Sequence, residues 1–282
     1  MKNSSIKSLI VFFSLGSLVL TNACDITGDN GCNYDVGRSV YSQGDRLSAK
    51  IFYPCNIDEL SNVGATTLTS GMTGSKENMY WLAQPIADAG MVVVTVSATD
   101  NMTVEGYETA QKTGHGILME ENDNHNSPIY GKIGNYGLMG YSKGGGGAIN
   151  AASDLDTQVK SCIALAPWGA NKQKNMRAAT LILTGTADTI TPATMGLSYY
   201  HGLPDISKAY GSVENGSHFF WVSNNDSGEI EDLIIGWLKY YLEDDESYLS
   251  DIQNRDDEFT DYEYIDSNNG ESIVQNNDNG CS

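Results

Sequence analysis

Tyr136-Gly137-Leu138-Met139-Gly140-Tyr141-Ser142-Lys143-Gly144-Gly145-Gly146-Gly147-Ala148 is the stretch on which the fold turns. An apolar, strand-like run, Tyr136–Met139, enters Gly140. A Gly-x-Ser-x-Gly pattern follows, and a helix is expected to start after Ser142. Four consecutive glycines then stand where a helix has to pack closely against a sheet. This strand–turn–helix order forces a serine onto a strained turn and leaves its hydroxyl exposed, the arrangement of a nucleophile elbow. In a chain with 30 glycines the five-residue pattern alone is weak, because a structural turn with an incidental serine also satisfies it. The flanking strand and the glycine run decide for the nucleophile.

The pattern outward from this point is an alternation. Strands are expected at Ala49–Tyr53, Ala65–Thr69, Met91–Val96, Val159–Ala166 and Ala179–Thr184. Helices are expected at Glu77–Ala89, with Gly90 as its stop, and at Ile230–Leu242. Met91–Val96 is a continuous β-branched run, the mark of a strand buried on both faces. Strands alternating with helices predict an α/β fold with a parallel central sheet covered on both faces.

Composition sets the outer limits. The 282 residues carry 36 acids and 16 bases, a net charge of −20. That excludes nucleic acid as a partner, since phosphates need a basic face. It also excludes electrostatic docking on anionic lipid. With 40% hydrophobic and 18% charged residues the chain is too apolar to be disordered, and its length suits one large domain or two small ones.

The two ends read differently from the middle. Lys2 and Lys7 precede an apolar run, Leu9–Leu20, too short for a bilayer anchor, and Ala23 fits a small-residue cleavage site. Residues 1–23 are therefore read as a signal peptide of a secreted protein. A lipid-modified Cys24, which would anchor the protein to a membrane, is the alternative. Residues 24–245 form the catalytic unit. After Leu242 come thirteen acids and a single base, Arg255, so 246–282 is expected to be a disordered acidic tail. A calcium site there would need a strict loop spacing that is absent. Five cysteines are too few for a disulfide scaffold. Cys162 lies in an apolar run and is expected to be a buried thiol, which leaves the pairing of Cys24, Cys32, Cys55 and Cys281 open.

A serine nucleophile needs a base, and the base an orienting acid. In this arrangement the chain order is serine, acid, histidine. His115 and His125 precede Ser142 and are expected in loops or on the surface. His201 sits beside Tyr199 and Tyr200 and reads as packing. His218 lies in a polar loop, Glu214-Asn215-Gly216-Ser217-His218, ahead of the closing helix, and is the candidate base. Asp188 follows a buried strand and a small-residue turn, at the strand end where such sheets keep their chemistry. A helix cap before Pro192 is its other reading. The oxyanion needs two N–H donors. Lys143 follows the nucleophile, and Met72 lies in Ser70-Gly71-Met72-Thr73-Gly74 after an earlier strand.

Six segments, in order, resemble the polyester-hydrolase branch of the α/β-hydrolases, the bacterial cutinases and poly(ethylene terephthalate) hydrolases. They are Ile51-Phe52-Tyr53-Pro54, Ser70-Gly71-Met72-Thr73, Gly140-Tyr141-Ser142-Lys143-Gly144-Gly145-Gly146-Gly147, Ala166-Pro167-Trp168, Asp188-Thr189-Ile190-Thr191-Pro192 and Gly216-Ser217-His218-Phe219. The resemblance implies an α/β-hydrolase fold, a mostly parallel central sheet with helices on both faces. It implies a triad of Ser142, Asp188 and His218, with Met72 and Lys143 amides as oxyanion donors. It also implies substrate contacts from Met72, Tyr141, Trp168, Ile190 and Phe219. The family usually has an aromatic residue where Met72 stands, methionine where Lys143 stands, and histidine or tryptophan where Tyr141 stands. The expectation is a secreted, monomeric serine ester hydrolase, without metal, cofactor or protein partner. Its substrate is a polyester, aryl or short-chain acyl ester. A small-ester esterase or lipase is the second reading, and a non-catalytic binding protein on a hydrolase scaffold is the reading from another class.

Overall fold

Strand β5 (Ile133–Tyr141) lies inside a ten-stranded sheet, hydrogen-bonded in parallel to β3 (Val63–Thr69) on one side and β6 (Ser161–Leu165) on the other. This computed structural model describes residues 31–39, 46–222, 228–253, 255, 259–267 and 271–276. The other strands are β1 (Gly31–Ser39), β2 (Arg46–Pro54), β4 (Val92–Ser97), β7 (Ala179–Gly185), β8 (Lys208–Val213), β9 (Phe259–Asp266) and β10 (Glu271–Asn276). Their order in the sheet is β1-β2-β4-β3-β5-β6-β7-β8-β9-β10. The six from β4 to β8 run parallel, and antiparallel pairs extend the sheet at both edges. The result is an α/β-hydrolase fold, as the alternation and the resemblance predict.

Helices α1 (Tyr80–Asp88), α5 (Glu229–Glu243) and α6 (Leu249–Gln253) cover one face, packing on Val93, Met139, Ile163 and Leu181. Helices α2 (Val104–Asp123), α3 (Lys143–Leu155) and α4 (Ala193–Gly202) cover the other, over Val92, Val94, Leu138, Ala164 and Ile182. The odd–even division of the valine run is the two-residue period of a strand buried on both sides. Each such side chain, at 0% exposure, contributes about 1.5–3 kcal/mol of transfer free energy.

Two expectations about the ends are affected. The described residues after 245 include helix α6 and strands β9 and β10 rather than the expected disordered tail. Phe259, Tyr262 and Tyr264 of β9 are buried in the main core, and Ile252 of α6 joins them. Strand β9 pairs along β8, so its main-chain groups complete a sheet edge, and its Tyr264 meets Trp237 edge-on. Acid-rich composition concealed this, because Asp261, Glu263 and Asp266 are interleaved with the buried Phe259, Tyr262 and Tyr264. Residues 1–23, Cys24 and Cys281 lie outside the described residues. A disulfide joins Cys32 on β1 to Cys55 just past β2, a sequence separation of 23. Cys162 is a buried thiol on β6, held protonated by burial.

Candidate active site

Ser142 ends β5 and starts α3 with φ 55° and ψ −121°, a left-handed conformation that a side-chain-bearing residue adopts only under constraint. Three main-chain bonds impose it. Ser142 N–H donates to Leu165 O at 2.8 Å, and Ser142 O accepts from Gly146 N–H at 3.0 Å and Trp168 N–H at 2.9 Å. The glycines make this turn sterically possible. A Cβ on Gly144 would stand 2.3 Å from Ser70 O, and one on Gly146 would stand 2.0 Å from Trp168 O. The helix thus lies directly on neighbouring backbone, and the serine is pushed up from the sheet edge.

The three residues named as a triad converge. Ser142 Oγ lies 3.0 Å from His218 Nε2, and His218 Nδ1 lies 2.8 Å from Asp188 Oδ2. Asp188 follows β7 and is 4% exposed, and His218 is 7% exposed. The carboxylate is firmly oriented. Its Oδ1 accepts the N–H groups of Ile190 at 2.8 Å and Thr191 at 2.7 Å, and its Oδ2 accepts Thr191 Oγ1–H at 2.7 Å. Asp188 does not cap α4, whose N-cap is Pro192; its bonds to the turn before that helix and its histidine contact coexist in one side chain. Thr191 was not singled out from the sequence, although it lies inside the Asp188–Pro192 segment. Its hydroxyl also stands 3.0 Å from His218 Nδ1, so it fixes acid and base together. An aspartate followed three residues later by a threonine is the available signal, since that spacing favours side-chain bonds to a turn.

The other histidines are elsewhere. His201 packs its ring beside Tyr200, and His125 is exposed next to Tyr130. His115 corrects the expectation of a surface or loop position. It lies within α2, is 3% exposed and meets Tyr136 edge-on.

A cleft of about 510 Å³ opens above Ser142, bounded by Gly71, Met72, Tyr141, Lys143, Trp168, Ile190, His218 and Phe219, among others. All the residues expected to contact substrate are thus at one place. Met72, Trp168, Ile190 and Phe219 are exposed and give the cleft an apolar rim. Tyr141 is buried beneath it, its ring against His218. Lys143 begins α3, where its N–H is one of the helix's unpaired donors. Its ammonium does not enter the sheet edge but turns outward, donating to Met102 O and to Met72 Sδ at 3.2 Å. Among the described residues no cluster of three or more potential metal ligands occurs.

A strained serine at the β5–α3 turn, reaching a histidine backed by an aspartate, defines the class: an α/β-hydrolase with a Ser-His-Asp constellation. The PET hydrolase-like family profile matches residues 30–270, and the chain belongs to that family. It is 32% identical to cutinase 2 of Thermobifida cellulosilytica over 70% of this chain and 74% of that protein. It is 32% identical to cutinase cut1 of Thermobifida fusca over 70% of this chain and 61% of that one. A bis(hydroxyethyl) terephthalate hydrolase of Streptomyces coelicolor is 30% identical over 70% and 63%. The family match runs through β9, in keeping with its place in the core.

Proposed function

We propose that this chain is an exported serine ester hydrolase that cleaves polyesters, aromatic ones included, through an acyl-enzyme. The observation that carries the reading is the unbroken path from Ser142 Oγ through His218 to Asp188, at 3.0 and 2.8 Å, under a cleft with an apolar rim. His218 Nε2 takes the Ser142 proton as Oγ attacks the ester carbonyl carbon. The carbonyl electron pair moves to oxygen, where the Met72 and Lys143 amides receive it. Collapse expels the alcohol, which leaves with the proton from His218. Water, deprotonated by the same imidazole, then releases the acid and returns the proton to Ser142. Export is supported by the basic start, the Leu9–Leu20 run and Ala23, and by the Cys32–Cys55 disulfide, which fits an oxidising compartment. No described helix is long and apolar enough to cross a membrane.

Trp168, Ile190 and Phe219 favour a flat aromatic acid, since ring contacts add about 0.5–1.5 kcal/mol beyond buried area. Met72 favours the second reading, a small-ester carboxylesterase, because a flexible thioether grips a ring less firmly than an aromatic clamp. A serine-directed fluorophosphonate should label the wild type and not Ser142→Ala; labelling of neither would sink the enzyme reading. Aromatic acid released from amorphous film, measured beside initial rates on p-nitrophenyl butyrate, separates the substrates. Met72→Tyr should raise film hydrolysis more than butyrate hydrolysis. No acid from either protein, with a fully active small-ester enzyme, would leave the carboxylesterase.

A further inference from the structure

The loop that carries Met72 is held from below by a residue outside the triad and outside the cleft. Tyr107 lies in the first turns of α2, 0% exposed, and its phenolic hydroxyl donates to the main-chain oxygen of Gly71. Gly74 N–H donates to the same oxygen at 2.9 Å, closing a tight turn. Thr73, at φ 63°, passes its N–H to Asn101 O at 3.1 Å. Met72 N–H has no main-chain acceptor among the described residues.

The Gly71 oxygen and the Met72 N–H belong to one planar trans peptide, so they point in opposite directions. Fixing the oxygen downward onto α2 aims the N–H upward, away from α2. Gly71 itself lies against the nucleophile: a Cβ on it would stand 2.8 Å from Ser142 Cβ. The loop thus runs directly beside Ser142, where an N–H turned away from α2 can serve an oxyanion formed on that serine. Rotating this peptide would cost the Gly71 oxygen both of its donors.

Helix packing brings the hydroxyl to this place. Gly147 of α3 meets α2 at Tyr107, where a Cβ would stand 2.7 Å from the Tyr107 carbonyl carbon. The fourth glycine of the run thus allows α2 close enough for the phenol to pass beneath the loop. Burial keeps the phenol protonated and so able to donate.

We infer that Tyr107 is a positioning residue for ester hydrolysis, holding the Gly71–Met72 peptide in the orientation that presents its N–H to the oxyanion. The inference rests on the proposed reading of Ser142 as nucleophile and Met72 as oxyanion donor. The hydroxyl touches neither substrate nor triad, and its effect passes entirely through one peptide plane. Losing an oxyanion donor outright costs about 10²–10³ in kcat. Gly74 N–H remains in the variant, so the loss should be partial.

Tyr107→Phe removes the donor and keeps the ring. The expected result on p-nitrophenyl butyrate is a fall in kcat of about 5- to 50-fold, with KM within twofold, because the oxyanion forms after binding. The inhibition constant of an alkylboronic acid, whose adduct with Ser142 places an oxygen where the oxyanion forms, should rise by a similar factor. Loss of folded protein alone would lower active-site titre, counted with a fluorophosphonate, and leave kcat per titrated site unchanged. Wild-type kcat and boronate affinity, or a loss confined to titre, overturns the inference. Ser142→Ala serves as the control. If it retains hydrolysis, the proposed function fails; if it is inactive while Tyr107→Phe matches wild type, only the positioning role fails. Should Tyr107→Phe not fold, a crystal structure of the phosphonylated wild type decides. The phosphoryl oxygen must lie within hydrogen-bond distance of Met72 N, with Tyr107 Oη still on Gly71 O. A rotated Gly71–Met72 peptide refutes it.

Discussion

Tyr141 donates its phenolic hydrogen to the main-chain oxygen of His218, at 2.9 Å. The residue before the nucleophile thus anchors the loop that carries the base, so elbow and imidazole move as one unit. A buried hydrogen bond of this kind is worth about 1 kcal/mol, more when the acceptor is left without a partner. Tyr141→Phe should therefore lower kcat on a soluble ester about three- to tenfold and lower the denaturation midpoint slightly. A variant with unchanged kcat would show that the loop is held by its other contacts.

The four bonds on Asp188 predict a graded series. Asp188→Asn should lower kcat by about 10⁴, since the amide favours the wrong imidazole tautomer. Thr191→Val should cost about tenfold, because the carboxylate keeps its two backbone donors. His201→Ala should have no effect. Steady-state rates on p-nitrophenyl butyrate check all three, and inactivation by His201→Ala would overturn the assignment of the base.

Strand β9 makes a prediction opposite to the one its composition invites. A chain stopped at residue 258 uncovers the β8 edge and one side of Trp237. It should be insoluble or strongly destabilised. Tyr264→Ala, at a position with 0% exposure, should cost about 3–5 kcal/mol by denaturant titration, as large aromatic deletions do. A truncated protein with wild-type melting would mean that β9 adds nothing to the core.

His115 gives a pH signature. Neither of its ring nitrogens has a hydrogen-bond partner, and burial lowers its pKa from 6.5. The unfolded chain therefore binds a proton more readily than the folded one. The stability associated with a neutral His115 is complete above pH 6.5 and declines as the pH falls below it. Its slope is at most about 1.4 kcal/mol per pH unit. Urea midpoints at pH 7.0, 6.0 and 5.5 should fall more steeply for wild type than for His115→Leu. Parallel curves would show that the folded protein accommodates the charged ring.

The sheet centre was legible because burial on both faces leaves continuous apolar runs, and the elbow because only glycines allow so close an approach. Asp188 and His218 were legible through chain order and the loop types that hold them. Three features were not. The β8–β9 register shifts between Ser212 and Val213, which breaks the two-residue alternation in Phe259–Asp266 and hides it behind the acids. Helix α2 carries buried polar groups, Gln111 and His115, that blur its apolar stripe. Tyr107 and Thr191 make hydrogen bonds to parts of the site that lie far from them along the chain or at an unremarked position beside a named one.

The exposed rim of Met72, Trp168, Ile190 and Phe219 sits on a molecule of charge −20. Contact with a solid ester surface must then be made by these apolar side chains, since the charges around them gain nothing from it. A fresh film is neutral, but each cut leaves a carboxylate behind. Where the surface is the substrate, the enzyme progressively charges its own landing ground and is driven off it. Digestion should stall well before the film is consumed and resume when salt shortens the reach of the repulsion to about 3 Å at 1 M. The same salt should leave turnover of a small soluble ester unchanged.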